Sequence, residues 1–389
     1  MAAADLRDFA PKSELLTSTV PKPRFVALDG WRGICALLVA VHNLQYVKAP
    51  SFVVHSFLFV DFFFVLSGFV ITHTYGQALQ SGFSPGAFLL RRFGRLWPLH
   101  IVLLMVFVSL ELLKTMAGNA LQMSFQSPSF QPPNSAIAIF RNVLLIQAVG
   151  DHTNLSWNVP SWSISTEFWV YALFALIYLI SPKRSPSVLL IGAMVLFAAT
   201  VIALSVPDFL ASNTDYAFFR CCFGFFAGHL TYRAWTVGGQ KLFAGTLAEL
   251  SAIAAIVIFV CIAGDDASSM MAPVVFGFAV WAFANENGAI SKMLMARPFV
   301  QLGVWSYSIY MVHWLLRTAI KVIVAALSGK SMGTQSPLEG IDGNWTMIAI
   351  TVAYLVAVVA VSAITYRLIE APGRDYFNAI SSALTRKKP

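Results

Sequence analysis

The sequence predicts an all-α membrane protein, a polytopic bundle of about ten transmembrane helices with both termini in the cytoplasm. Hydrophobic residues make up 58% of its 389 residues and charged residues only 11%, whereas a soluble domain carries about 25% charge. The mean hydropathy is +0.71. Too few polar side chains are present to cover a 42.6 kDa soluble globule, so most of the surface must face lipid.

Apolar stretches of about 20 residues, the length that a helix needs to cross a bilayer, recur along the chain. The predicted spans are 26–46, 56–75, 97–116, 161–181, 188–205, 215–234, 244–263, 271–287, 300–323 and 346–368. The polar connection 117–160 contains one apolar piece, 136–149, which is too short to span and is expected to be interfacial or re-entrant. This organisation predicts a cytoplasmic segment at 1–25, one transmembrane domain at 26–375 and a basic cytoplasmic tail at 376–389.

The distribution of basic residues predicts the orientation of the spans. If the N-terminus is cytoplasmic, 18 of the 26 Lys and Arg residues fall in cytoplasmic segments. The opposite loops contain only Lys48, Lys114, Arg141 and Lys330. An excess of Lys and Arg marks the cytoplasmic side, so the net charge of +8 reflects topology and predicts no nucleic-acid partner. The four cysteines lie in apolar stretches and predict neither a disulfide framework nor a metal site.

A few ionisable residues lie inside the predicted spans, where each is costly unless it faces a cavity or a partner. Positions along four helices place His42, Asp61, Glu167 and His313 at comparable depth in the outer half of the membrane. A histidine beside carboxylates suits general-base catalysis, with His42 as the base and Asp61 or Glu167 to orient it. Mutual neutralisation of these groups is the structural alternative.

The ninth predicted span carries a polar stripe. Ser306, Tyr310, His313 and Arg317 occupy positions i, i+4, i+7 and i+11, which share one face of a helix. Such a stripe turns toward protein or toward a water-filled pocket. Interhelical hydrogen bonding alone would also explain it.

A second cluster is predicted at the cytoplasmic end. Ser84 followed by Pro85 is typical of a helix start, and that helix carries Arg91, Arg92 and Arg95 to the membrane surface. Together with Arg32 they could bind a polyanion, because arginine suits bidentate phosphate contacts. The positive-inside rule would place arginines there without any ligand.

Several sequence runs together resemble a known family. They are LDGWRG at 28–33, His42, VDFFFVLSGFVI at 60–71, RRFGRLWPLH at 91–100, SWSISTEFWVY at 161–171, LGVWSYSIYMVH at 302–313 and IEAPGR at 369–374. In this order, over about residues 25–375, they resemble the signatures of the acyltransferase-3 family. Members are bacterial inner-membrane proteins of about ten spans that transfer acetyl or other acyl groups, usually from acyl-CoA, to hydroxyls of extracytoplasmic glycans. This chain is similar to members without a C-terminal SGNH esterase domain.

The resemblance implies roles for individual residues. His42 matches the family's essential histidine, Arg32 its partner arginine, and Glu167 the glutamate of the fourth span. The remaining matches are Arg92 and Arg95 to the RxxR element, Ser67 and Gly68 to the SGF element, and Tyr307, Tyr310 and His313 to the SYxxYxxH element.

The implied site has a catalytic part and two binding parts. His42, Asp61 and Glu167 are expected to be catalytic. Acyl-CoA, with acetyl-CoA favoured, is expected as co-substrate at Arg32, Arg91, Arg92 and Arg95, and the pocket is expected to be lined by Ser67, Tyr307, Tyr310 and His313. Ser67 or Tyr310 could donate to the developing oxyanion. No metal or bound cofactor is expected, and the expected partners are membrane lipids and a carbohydrate or lipid-linked glycan acceptor.

One spacing departs from the family pattern. His42 follows Arg32 by ten residues instead of eleven, and Asn43 occupies the eleventh position. One residue turns a helix by about 100°. Either a local irregularity restores the direction, or His42 acts from a shifted position, or Asn43 takes a structural part of the role.

Two other classes of function stay open at this point. A proton-coupled transporter would use intramembrane Asp, Glu and His residues as a relay, although no repeated halves are visible in the sequence. A catalytically inactive membrane scaffold is the second, suggested by the altered spacing. For an acyltransferase, the sequence leaves open both direct transfer and an acyl-histidine intermediate.

Overall fold

The computed structural model of the chain describes residues 24–44, 49–121, 128–150, 155–181, 185–211, 213, 216–239, 242–264, 266–328 and 344–386. Most of the predicted N-terminal segment 1–25, the last residues of the predicted tail, and the loop residues Lys48 and Lys330 lie outside this set. Within it the prediction of an all-α protein is confirmed, because the regular structure consists of helices alone.

The α-helices in the described part of the chain are α1 (Val26–Leu44), α2 (Ser51–Val54), α3 (Phe59–Ile71), α4 (Gln77–Gln80), α5 (Pro85–Leu121), α6 (Ala136–Val143), α7 (Ser161–Ile180), α8 (Val188–Ser205), α9 (Ala217–Gly238), α10 (Thr246–Ile262), α11 (Ala272–Ala284), α12 (Ala289–Leu294), α13 (Arg297–Ser328), α14 (Asn344–Thr365) and α15 (Ala371–Arg386). Each predicted span coincides with one of the longer helices or with the continuous run from α2 to α4. The half-length apolar piece forms the short helix α6.

Six helical segments among the described residues are long and apolar enough to cross a membrane, which makes the chain a multi-pass membrane protein. They are Ser51–Gln80, Pro85–Met116, Ser161–Ile180, Val188–Ser205, Ala267–Ala284 and Trp345–Thr385. Helices α1, α9 and α13 are less apolar because they carry Arg32, Arg220 and Arg317, and α10 is shorter. The count of ten spans and the orientation of the termini stay predictions.

Glycines set the closest helix crossings. A Cβ added at Gly33 of α1 would lie 2.6 Å from the Cβ of Leu302 on α13. Where α3 crosses α9, a Cβ at Gly68 would overlap the backbone carbonyl of Phe225, and one at Gly228 would overlap that of Val65. Small residues let membrane helices approach this closely. Gly33 and Gly68, which belong to the runs noted in the sequence, therefore hold the bundle together.

In the part of the chain that the structure describes, two π-helical turns interrupt the long helices, at Thr72–Gly76 between α3 and α4 and at Tyr366–Glu370 between α14 and α15. Beyond the second turn, α15 packs along the first part of α5. The boundary predicted at residues 375 and 376 falls inside α15. With 37 residues, α5 is about 55 Å long, so its N-terminal part extends beyond the roughly 30 Å hydrocarbon core.

Candidate active site

A cavity of about 700 Å³ lies between α1, α3, α5, α7 and α13. Six arginines among the described residues line it: Arg24, Arg32, Arg91, Arg92, Arg95 and Arg374. The lining carboxylates are Asp29 and Glu167, so the cavity is strongly positive. Nearly half of the side chain of Arg24 is exposed, at 46%, and Arg32 is 31% exposed. The arginine end of the cavity is therefore open to solvent.

Arg92 and Arg95 each contact a residue of a different π-helical turn. Arg92 Nη2 donates to the hydroxyl of Tyr75 over 3.0 Å, and its guanidinium lies 5.0 Å from the centre of that ring. Arg95 pairs with the buried carboxylate of Glu370 and lies 5.5 Å from the ring centre of Tyr307. These turns thus direct both guanidinium groups, which fits the frequent occurrence of π-turns at functional sites.

The other predicted anion-binding arginines have different partners. Arg32 Nη1 lies 3.3 Å from Asp29 Oδ1 on the same helix. Arg91 Nε donates to Ser381 over 3.1 Å, and Arg91 Nη2 donates to Ser382 over 3.4 Å. The serine contacts tie Arg91 to α15, so this arginine joins the cavity wall to the C-terminal helix.

The cavity extends well into the bundle. On the continuous helical run from α2 to α4, Tyr75 lies at the arginine end of the cavity, and Phe63 lines it deeper in the bundle, with its ring 6.1 Å from that of Tyr310. Phe63 precedes Tyr75 by twelve residues, which corresponds to about 18 Å of helix. The cavity therefore joins a solvent-exposed cluster of arginines to a buried aromatic end.

Glu167 faces the middle of the cavity within a chain of hydrogen bonds. Tyr171 donates to Glu167 Oε1 over 2.5 Å, and the hydroxyl of Ser67 donates to Tyr171 over 2.8 Å. All three side chains line the cavity. Two of the predicted site residues, Glu167 and Ser67, are thus brought together through Tyr171, which the sequence reasoning did not select.

Tyr310 lines the inner part of the cavity. Its hydroxyl accepts from Ser163 over 2.8 Å and donates to the backbone carbonyl of Pro160 over 3.1 Å. One turn along α13, the ring of His313 lies 5.8 Å from that of Tyr310, and His313 does not line the cavity. His313 is fully buried, and neither of its ring nitrogens has a hydrogen-bond partner among the described residues.

His42 lies beyond the same aromatic end. Its Nδ1 is 3.3 Å from the carbonyl oxygen of Val53, and its ring is 5.8 Å from that of Phe57. Its helix, α1, packs along α13, the helix that carries His313. His313 is buried and His42 is half-buried, and neither lines the cavity.

The ten-residue spacing from Arg32 to His42 is built into a regular helix. Helix α1 is continuous over Val26–Leu44, so no local irregularity turns the direction of His42. The side chain of Asn43 donates to the carbonyl of Val39 on the same helix over 2.9 Å. Its backbone carbonyl accepts from Arg317 Nε over 2.5 Å. His42 therefore keeps its shifted position, and Asn43 joins α1 to α13.

Asp61 was expected to orient His42, but the structure pairs it with an arginine. Both of its oxygens accept from Arg220 on α9, over 3.0 Å to Nε and 2.7 Å to Nη2. Arg220 also lies 5.1 Å from the ring centre of Trp162. The sequence reasoning missed Arg220, although an arginine inside the predicted span 215–234 met the same criterion that selected Asp61.

Comparisons with known proteins agree with this geometry. The model of an acyltransferase domain, that of the acyltransferase-3 family, matches residues 25–367. The chain is 33% identical over 164 residues to protein 2 in the picA locus of Rhizobium radiobacter, over 41% of this chain and 84% of that protein. It is 25% identical over 321 residues to peptidoglycan O-acetyltransferase OatA of Listeria monocytogenes, over 75% of this chain and 49% of OatA, so it spans about half of that relative.

A third relative aligns over most of both chains. It is BcsY of Komagataeibacter xylinus, named as a candidate membrane-bound transacylase, which is 23% identical over 371 residues, 92% of this chain and 85% of that protein. No solved structure matches the chain. The family match covers most of the sequence and confirms the resemblance seen in its motifs. The chain belongs to the acyltransferase-3 family and is a membrane O-acyltransferase.

Proposed function

We propose that the protein transfers an acyl group, acetyl in particular, from cytoplasmic acyl-CoA to a hydroxyl of an extracytoplasmic or lipid-linked carbohydrate. His42 acts as the general base, and the protein resides in a bacterial inner membrane. The observation that carries the proposal is the cavity itself, which joins six arginines at a solvent-exposed end to a buried aromatic end, where Tyr310 lies beside His313.

The arginine end suits the anionic part of CoA. The pyrophosphate and the 3′-phosphate need several positive charges, and arginine binds phosphate oxygens through two parallel N–H groups. Arg92 and Arg95 already have fixed partners and line the cavity. With the phosphates at these arginines, the pantetheine arm extends along Ser67 and Glu167, and the thioester reaches Tyr310.

Transfer then takes place at the aromatic end. His42 accepts the proton of the acceptor hydroxyl, the oxygen attacks the thioester carbonyl, and the C–S bond breaks. The CoA thiolate takes the proton from the imidazolium, so the products are an O-acyl ester and free CoA. Tyr310 must turn aside for the two substrates to meet, and its hydroxyl is then available to donate to the oxyanion.

The names of the relatives support a carbohydrate acceptor. OatA of Listeria monocytogenes is a peptidoglycan O-acetyltransferase by name, and its similarity covers 75% of this chain. Along α13, Tyr307 lies against Arg95, Tyr310 follows it and His313 comes next, so we expect donor and acceptor to approach from opposite ends. This separation suits a reaction between a cytoplasmic donor and an acceptor outside the cell.

The proposal is tested with purified protein in proteoliposomes that contain labelled acetyl-CoA on the arginine side. The His42→Ala variant is expected to transfer label to a glycan acceptor roughly 10²–10⁴-fold more slowly, the usual contribution of a general base. His55→Ala is the matched control, because the ring of His55 packs 6.4 Å from Phe57, the same ring that His42 contacts. Its activity should stay near that of the wild type.

Two outcomes would overturn the proposal. Normal acylation by a stably folded His42→Ala protein would remove His42 from catalysis. Uptake of a substrate without covalent change, with no transfer of label, would favour a transporter.

A further inference from the structure

Glu370 is a buried carboxylate in the run IEAPGR at 369–374, and the proposed reaction gives it no role. Its side chain is 1% exposed. One oxygen accepts from Nη1 of Arg95 on α5, and the other accepts from the hydroxyl of Ser308 on α13 over 2.6 Å. Glu370 ends the π-helical turn between α14 and α15, so it joins three parts of the bundle at one point.

Arg95 is held between two groups and keeps a free side toward the cavity. Glu370 binds one edge of its guanidinium, and the ring of Tyr307 lies 5.5 Å from its centre. Tyr307 is itself fixed, because its hydroxyl donates to the carbonyl of Leu96 over 2.5 Å. Arg95 lines the cavity and is 20% exposed, whereas Glu370 lies behind it and does not line the cavity.

A carboxylate at this place opposes simple electrostatic attraction of an anion. It lowers the positive potential at one of the arginines, and burying it is costly unless it is well paired. An arginine side chain that is already oriented, however, loses less conformational freedom when it binds phosphate. Arg92 is oriented in the same way by Tyr75, a residue of the other π-helical turn, without any added charge.

We propose that Glu370 is a positioning residue for the acyl donor, which fixes Arg95 in the direction in which it meets a CoA phosphate. The inference rests on the proposed function, since it requires acyl-CoA at the arginine end. Ser308 supports it by binding the second oxygen of Glu370.

Whether Glu370→Gln weakens or strengthens CoA binding tests this role. Removing a negative charge near a phosphate site strengthens CoA binding if Glu370 acts only through its charge. Loss of orientation instead weakens it, and we expect the KM for acetyl-CoA and the Kd for CoA to rise roughly tenfold, with a smaller change in kcat. Glu111→Gln on the same helix α5 removes an equal charge from the pair with Lys114 and should leave the KM near the wild-type value.

Two further variants keep the test sharp if Glu370→Gln folds poorly. Glu370→Asp retains the charge but shortens the side chain, so it should raise the KM if position matters and leave it unchanged if only charge matters. In an Arg95→Lys background, Glu370→Gln should change the KM by less than about twofold, because the residue acts through Arg95.

The outcomes separate this inference from the proposed function. If wild-type protein binds CoA and turns over acetyl-CoA but Glu370→Gln binds CoA equally well or more tightly, the positioning role is wrong. If thermal unfolding shifts with no change in the KM for acetyl-CoA, Glu370 is structural only. If wild-type protein neither binds CoA nor transfers acetyl groups, the proposed function itself fails.

Discussion

Asp61 and Arg220 form an ion pair with its charges almost completely removed from solvent, at 1% and 2% exposure. Two short bonds between the carboxylate and the guanidinium fork offset much of the cost of burying both groups. Asn213 takes a further N–H of Arg220 over 3.0 Å. The pair holds α3 against α9, so the partner of Asp61 is Arg220 and not, as expected, His42.

Asp61→Asn should therefore reduce stability before it affects chemistry. Removing one partner of a buried pair leaves an unpaired charge and costs about 3–5 kcal/mol. We expect a lower temperature of unfolding in detergent, and the double variant Asp61→Leu with Arg220→Met should recover most of the loss. If the Asp61→Asn protein unfolds at the wild-type temperature but lacks activity, Asp61 takes part in the reaction.

A sequence predicts how deep a residue lies in the membrane, but it does not predict which residues surround it. Sequence reasoning selected His42 and His313 by depth, and their helices α1 and α13 are joined close to both residues by the hydrogen bond from Arg317 to the carbonyl of Asn43. It selected Asp61 by the same argument, yet Asp61 pairs with Arg220. Depth follows from counting 1.5 Å per residue, whereas contact depends on helix rotation and on which helices are adjacent, and neither is encoded in a single span.

Among the helices, the crossing of α3 and α9 relies on glycine. Gly68 and Gly228 face backbone carbonyls of the opposite helix, Phe225 and Val65, so neither position has space for a methyl group. Backbone atoms cannot move aside as a flexible side chain can. The SGF run is therefore as much a packing element as a lining element, with Ser67 facing the cavity and Gly68 facing α9.

Gly68→Ala is expected to force α3 and α9 apart and to lower the temperature of unfolding, with an overpacking cost of roughly 1–3 kcal/mol or more. Gly192→Ala in α8 is the matched control, since a Cβ there meets no atom within 4 Å. The control should be neutral or slightly stabilising, because alanine favours a helix by up to about 1 kcal/mol over glycine. Equal unfolding temperatures for the two variants would contradict the close approach of α3 and α9 at Gly68.

The positions of the helices were predictable and their interruptions were not. Apolar length determines where a helix can cross lipid, and every predicted span coincides with a helical segment. A π-turn adds one residue to a helix without changing its apolar character, so the turns at Thr72–Gly76 and Tyr366–Glu370 leave no mark in the pattern. These turns supply Tyr75 and Glu370, the partners of Arg92 and Arg95.

For the molecule as a whole, the predicted orientation sets the side from which each substrate enters. The positive-inside rule assigns the arginine end of the cavity to the cytoplasm. Acyl-CoA is made in the cytoplasm, so the proposed donor and the open end of the cavity are on the same side. The orientation thus has a direct bearing on function.

Labelling of single cysteines tests the orientation. In a Cys261→Ser background the described native thiols, Cys35, Cys221 and Cys222, are buried. Ala267→Cys, at an exposed position before α11, should react with a membrane-impermeant maleimide in intact cells. Ser185→Cys, exposed before α8, should react only after permeabilisation. The reverse result would invert the topology.

Tyr310 has a further consequence for the cell that contains this protein. A cavity that penetrates about 18 Å of the bundle leaves only part of the bilayer thickness as a barrier. The rings of Phe63 and Tyr310 lie 6.1 Å apart in the inner part of the cavity, and the ring of Tyr310 lies beside that of His313. We expect these rings to keep water at the arginine end away from the histidines, and so to prevent a proton leak that would dissipate the membrane potential.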